Sequence, residues 1–233
     1  MLNQTAVKAD FKLIRREPIL VLFMFLPLFI LALTRLLVQY GAPLLLDYTG
    51  FSLAPYYGYV MALSLLMAPF MLGTVCGFLM IDDRDARMLE LMSVTPLGYL
   101  GYIAMRSLVP FSAAFVYTFI GYYLIGIILV DIYLLTFIAL LNALSGVIIG
   151  LVLFNYAGDK VKAVAFSKGL GLLNVLAVAD LFELTWLSLL AAFSPYYWIV
   201  RLINDAATPF NLFAAALVHL AWFGFMLRKL GKS

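Results

Sequence analysis

The sequence predicts an all-α membrane protein with six transmembrane helices, and three observations carry that prediction. Of 233 residues, 66% are hydrophobic and only 12% are charged. A soluble domain carries about 25% charged residues, so this chain has too few to cover a surface in water. The mean hydropathy is +1.07, and the apolar residues gather into six stretches, 19–38, 59–81, 108–130, 133–154, 164–184 and 210–227. Each is close to the ~20 residues that cross a hydrocarbon core. The positive residues are also segregated. Six spans place Lys8, Lys12, Arg15, Arg16, Arg84, Arg87, Arg106, Lys160, Lys162, Lys168, Arg228, Lys229 and Lys232 on one face, 13 of the 15, and leave Arg35 and Arg201 on the other. Positive residues stay cytoplasmic, so both termini of a multi-pass cell-membrane protein are expected in the cytoplasm. Five or seven spans would destroy this segregation.

The elements follow in order. Residues 1–18 are expected to form an amphipathic helix lying in the headgroup layer, with a frayed basic tail as the alternative. Val7, Phe11 and Ile14 recur at helical spacing, Lys8, Lys12, Arg15 and Arg16 flank them, and Pro18 breaks the backbone where the chain turns into the membrane. The absence of a small-residue cleavage site and the length of the following run argue against a cleaved signal. Gly41 and Pro43 punctuate the end of the first span, Asp82 and Asp83 that of the second, Gly158 and Asp159 that of the fourth, and Ser194 and Pro195 that of the fifth. Between spans two and three, residues 84–96 predict a short amphipathic helix. Met88, Leu91 and Met92 share one face, Asp83, Arg87 and Glu90 another, and Thr95-Pro96 stops the turn. An apolar, Met-rich face ringed by charges suits docking into a groove of a partner. A helix lying on the bilayer is the alternative. The fifth stretch runs on from Val164 to Phe193, about 30 residues or ~45 Å of helix against a core of ~30 Å. The excess, Leu184 to Phe193, is expected to fold back at the outer surface, with tilt or a kink as the alternative.

These residues resemble the permease subunits of ABC-2 type ATP-binding-cassette transporters over nearly the whole chain. Residues 4–17 with the Arg16-Glu17-Pro18 step resemble that family's elbow helix. Asp82 to Arg87, then Leu89-Glu90-Leu91-Met92 and Thr95-Pro96-Leu97, resemble its coupling helix, although Ala86-Arg87-Met88 stands where many members carry Gly-Thr. Asn155 to Lys168 looks like the second cytoplasmic loop, and Pro195-Tyr196-Tyr197-Trp198 like the Pro-x-Tyr-Trp segment before the last span. The resemblance implies one membrane domain over 1–233 and outer re-entrant helices between spans five and six. It implies coupling to a separate ATPase through Arg84, Arg87, Met88, Glu90, Leu91, Met92, Thr95 and Pro96. It also implies a second permease, identical or not, and export of an amphipathic or lipophilic drug, peptide or lipid. No phosphate-cradling Gly-x-x-x-x-Gly-Lys-Ser/Thr motif occurs in the sequence, so ATP and Mg are expected on the partner, with no cofactor, enzyme activity or nucleic-acid binding in this chain.

Within the membrane, Gly73-x-x-x-Gly77 and Gly146-x-x-x-Gly150 permit close helix approach, with packing inside one subunit expected for both. Asp180 and Glu183 are the candidate pathway or outer-gate residues, because carboxylates near hydrocarbon face a cavity or a partner, and their spacing puts them on one helical face. The competing reading is interfacial, hydrated or paired with Arg35 or Arg201. Two other functional classes stand beside the permease. A substrate-capture subunit of an importer needs no lever after its second span. A rhomboid-like serine protease would use Ser145 and His219 as a dyad, but the second span has no histidine or asparagine for an oxyanion site.

Overall fold

A computed structural model describes residues 18–88, 98–205 and 207–230. Among the described residues the secondary structure is helical throughout, with no strand. Helix α1 (Pro18–Leu36) runs through a π-helical turn at Leu37–Gly41 into α2 (Ala42–Thr49). A 3-10 turn at Ala54–Tyr56 leads into the long α3 (Tyr57–Asp85), followed by α4 (Gly98–Ile125) and α5 (Ile132–Tyr156). Then come α6 (Lys160–Leu173), a 3-10 segment (Asn174–Phe182), α7 (Thr185–Ala191), α8 (Pro195–Asn204) and α9 (Pro209–Leu230). Among the described residues six segments are long and apolar enough to cross a membrane: Leu20–Thr49, Ala54–Asp85, Gly101–Ile125, Ile132–Tyr156, Lys160–Phe182 and Pro209–Lys229.

Helices α3 and α5 form the centre and are buried along most of their length, while the other spans wrap them and keep one side open. Lipid tails are as apolar as leucine, so these two helices are held by close backbone approach rather than by exclusion from water. The two glycine motifs meet each other. A Cβ on Gly73 would stand 2.3 Å from the Gly146 carbonyl oxygen, and one on Gly150 3.1 Å from Cys76 Sγ. Polar side chains add interhelical bonds, including Asn142 Nδ2 to Thr118 Oγ1 at 3.0 Å, Tyr117 Oη to the Met24 carbonyl at 3.0 Å and the Thr34–Ser64 hydroxyl pair at 3.1 Å.

The first, second, third and fifth spans differ in their boundaries from the sequence expectation, the fifth beginning at Lys160 rather than Val164, so that Lys160, Lys162 and Lys168 fall within its helix. The first span continues past Gly41 and Pro43 to Thr49, where Gly50 closes it at φ 71. Pro43 has no N–H for the preceding turn, and the chain passes it by widening into a π turn instead of breaking. The second span runs on through Asp82 and Asp83 to Asp85, because both carboxylates find cations on neighbouring helices. The third span is helical from Gly98 and stops at Ile125. Gly98 and Gly126 bracket it at φ 60 and 58, and Arg35 Nη1 donates to the Ile125 carbonyl at 2.6 Å. A cation on the last carbonyls of a helix satisfies orphan acceptors and opposes the helix dipole. Before the last span α7 and α8 are bent by 119° at the Ala192–Ser194 break, and the stretch ahead of them is kinked at Val178.

Candidate functional site

The consecutive residues Asp82, Asp83 and Arg84 end α3, and each reaches a different element. Asp82 accepts from Lys160 Nζ at 2.9 Å, at the start of α6. Asp83 is buried. It holds Arg106 of α4 through Nε at 2.6 Å and Nη2 at 2.7 Å, and accepts from Tyr102 Oη at 2.5 Å. Arg84 donates to the carbonyls of Phe154, Ala157 and Gly158 at 3.1, 2.8 and 3.0 Å, closing the C-terminus of α5, and its guanidinium lies over the Phe154 ring at 5.4 Å. Successive residues of a helix are rotated by about 100°, so three consecutive side chains leave α3 in three directions. The end of α3 is thereby braced against α4, α5 and α6 at once. Beside it, Asp159 caps α6 and accepts from the Lys162 backbone N–H at 2.8 Å. That bond holds its carboxyl below the ordinary carboxylate range.

This geometry corrects the expected charged face of a lever, since Asp83 points into the bundle and pairs with Arg106 rather than sharing an exposed face with Arg87. Among the predicted coupling residues, Arg84 is engaged inside the protein. Arg87 stands at φ 55 just past the helix, and Met88 is exposed. Glu90, Leu91, Met92, Thr95 and Pro96 lie outside the described residues, as does the expected amphipathic helix up to residue 17.

At the opposite end, Asp180 and Glu183 part company. The α-helix stops at Leu173 and the chain continues as a 3-10 segment kinked at Val178, so the face expected to carry both residues does not exist. Asp180 Oδ1 accepts from Ser188 Oγ at 2.5 Å and Tyr197 Oη at 3.0 Å, and Arg201 Nη1 donates to the same Tyr197 oxygen at 2.8 Å. Arg201 also pairs with Asp205 at 3.1 Å. Asp180 is thus the joint between the 3-10 segment, α7 and α8. Glu183 is exposed in a turn at φ 54. The Tyr197 hydroxyl stands between Asp180 and Arg201, donating to the first and accepting from the second.

Midway along the bundle, Ser145 of α5 and His219 of α9 meet with Oγ 3.1 Å from Nε2. His219 Nδ1 is 2.7 Å from the Ala215 carbonyl, which accepts only, so Nδ1 carries the proton and the Ser145 hydroxyl donates to Nε2. Both residues are buried. A cavity of about 210 Å³ adjoins them, lined by Ile149, Leu176, Tyr196 and Trp222, and the buried Tyr196 Oη has no hydrogen-bond partner among the described residues. It shares Val152, Leu170 and Trp222 with a neighbouring groove of about 610 Å³ between α5, α6 and α9.

Residues 10–227 match the family model described as fluoroquinolones export permease protein Rv2686c-like. The chain belongs to this export permease family. It is 27% identical over 195 residues, 80% of this chain and 75% of the relative, to the fluoroquinolones export permease proteins Rv2686c and MT2760 of two Mycobacterium tuberculosis strains. No solved structure matches it. Membership agrees with the ABC-2 permease resemblance and makes this chain a multi-pass transport subunit rather than an enzyme. Nothing in the family or these relatives supports the importer-capture or protease readings, and the Ser145–His219 contact is accounted for as an interhelical hydrogen bond. The sequence reading missed the Asp83–Arg106–Tyr102 cluster and the Arg35 and Arg84 caps. A charge inside or beside an apolar run was the signal that could have flagged them, but not their partners.

Proposed function

We propose that this chain is the membrane half of an ATP-driven exporter of amphipathic or lipophilic molecules, coupled through residues 84–96 to a separate ATPase and paired with a second permease. The observation that carries this reading is the brace at the end of α3 within a member of an export permease family. A push delivered just beyond Asp85 reaches α4, α5 and α6 through Lys160, Arg106 and the α5 carbonyls, so the end of the bundle moves as a body. Rigid-body closure of two such halves around a central cavity gives alternating access. The inner face is the end holding Asp82 to Arg84, with both termini cytoplasmic, by the distribution of positive residues. ATP and Mg belong to the partner subunit. The fluoroquinolone named for the mycobacterial relatives is the first substrate to try. The test is co-purification from native membranes in mild detergent, with and without Leu91→Asp. A stoichiometric ATPase that is lost in the variant supports the reading, and a chain that purifies alone in both cases overturns it.

A further inference from the structure

The groove of about 610 Å³ between α5, α6 and α9 has apolar walls and a cationic end. Its walls include Tyr156 of α5, Ala165 and Phe166 of α6, and Trp222 and Phe225 of α9. Tyr156, Phe166 and Phe225 are half exposed, so the groove is open along its side. Lys162 stands three and four residues before Ala165 and Phe166, and Lys229 four and seven after Phe225 and Trp222. Those spacings return to the same helical face. Each of α6 and α9 thus carries a lysine in line with the groove, one turn beyond its apolar walls. Both lysines reach the end of α5. The Lys229 ammonium lies over the ring of Tyr156, a wall residue, 3.2 Å from its centre, and a Cβ on Gly158 would stand 3.5 Å from Lys162 Nζ. Tyr156 closes the Ile132–Tyr156 span, Lys229 closes the Pro209–Lys229 span, and Lys162 lies in the first turn of the Lys160–Phe182 span. Three span ends therefore meet at the charged end of the groove. Asp159 lies 3.3 Å from Lys162 and offsets one of the two charges, while Lys229 has no carboxylate partner among the described residues. Arg84, on the Ala157 and Gly158 carbonyls, adds to the positive field.

An apolar groove left empty forfeits its dispersion contacts, and in a bilayer the molecules beside a side-open groove are lipids. We infer that this groove is a site for an anionic phospholipid, with one acyl chain along the aromatic walls and the phosphate held between Lys162 and Lys229. The two parts of the site match the two parts of the lipid. Ammonium–phosphate hydrogen bonds are charge-assisted, and basic pockets between spans select acidic head groups in this way. A lysine has three N–H donors, so the Lys229 ammonium can rest on the Tyr156 ring and still donate to a phosphate. Past Trp222 the groove adjoins the 210 Å³ cavity, with which it shares Val152 and Leu170, and this gives the far end of the chain a place to lie. The inference goes beyond the exporter reading and does not depend on it.

Trp222 in the groove wall is a built-in probe, because bromine on an acyl chain quenches an indole it touches. The full chain is reconstituted in phosphatidylcholine vesicles containing a rising fraction of chain-brominated phosphatidylglycerol or chain-brominated phosphatidylcholine. The share of Trp222 is the native fluorescence minus that of Trp222→Phe, and Trp186, 60% exposed, supplies a lipid-facing control within the remainder. Half of the Trp222 quenching is expected at an about tenfold lower fraction of the anionic lipid than of the zwitterionic one, with no such preference in the remainder. The double variant Lys162→Gln, Lys229→Gln should lose the preference, and Lys162→Arg with Lys229→Arg should keep it. Equal curves for the two lipids, or an unchanged preference in the Gln pair, overturn the inference. So does a Trp222 that neither lipid quenches, the result expected if a second copy or another partner covers the groove. A second measurement needs no tryptophan change: in detergent, added phosphatidylglycerol should raise the Tm of the native chain above the value in phosphatidylcholine and fail to do so in the Gln pair. Equal Tm values in the two lipids for the native chain also overturn it. Failure of ATPase co-purification would sink the exporter reading and leave the lipid site standing.

Discussion

Replacing Arg106 by Met removes the one cation that bonds Asp83 among the described residues and leaves a buried carboxylate that accepts, among them, from the Tyr102 hydroxyl. Both partners of this pair are nearly closed off, with side-chain exposures of 13% and 11%. Removing one partner of such a pair costs about 3–5 kcal/mol, because the remaining charge is neither solvated nor paired. For a chain of this size about 2–4 °C of Tm is lost per kcal/mol, so a fall on the order of 10 °C is expected. Asp83→Leu is expected to be similarly damaging. Replacing the three residues together with Asp83→Leu, Arg106→Met and Tyr102→Phe removes both charges of the pair and the Tyr102 hydroxyl and should recover most of the stability that either single change loses. Thermal unfolding of the four proteins in one detergent, read by intrinsic fluorescence, measures the coupling. If the single changes are silent, or if the triple variant is as unstable as the sum of its parts, the cluster is not a coupled buried pair. The stable triple variant also asks whether the brace transmits motion. Export should fall even though the fold survives, because α3 and α4 are no longer tied at that end.

Other substitutions test the remaining contacts. Gly73→Ala places a Cβ 2.3 Å from a backbone oxygen that cannot move aside, so α3 and α5 must separate at a cost of about 1–3 kcal/mol, whereas Gly146→Ala meets the Pro69 carbonyl at 3.3 Å and should be milder; Tm values rank the two. Arg84→Gln withdraws the cation from the α5 C-terminus, and faster hydrogen exchange at the amides of residues 154–158 should follow. Tyr197→Phe breaks the Asp180–Tyr197–Arg201 relay and should loosen the α7–α8 segment to limited proteolysis while leaving the charged end unchanged. Charge reversal at Arg87 and Glu90 together should leave membrane insertion intact and uncouple ATP hydrolysis from efflux, and normal coupling would count against the lever assignment.

Membrane residence and six apolar helices long enough to span were legible in the sequence, because each depends on hydropathy and chain length within one segment. The glycine motifs were legible as places of close approach, yet only the packing shows that they approach each other. Spacing misled at Asp180 and Glu183, where the argument needed an unbroken α-helix and the chain tightens into a 3-10 segment. It also misled at Gly41 and Pro43, where a π turn absorbs what reads as a stop. The sequence alone settled which segments are apolar enough to enter a membrane, because transfer into hydrocarbon is a sum over local side chains. Tertiary structure alone decided which charges meet. Asp83 and Arg106 are 23 residues apart, and Ser145 and His219 are 74 apart. Such pairs form only once separate helices have been set side by side, and a hydropathy pattern holds no information about that arrangement.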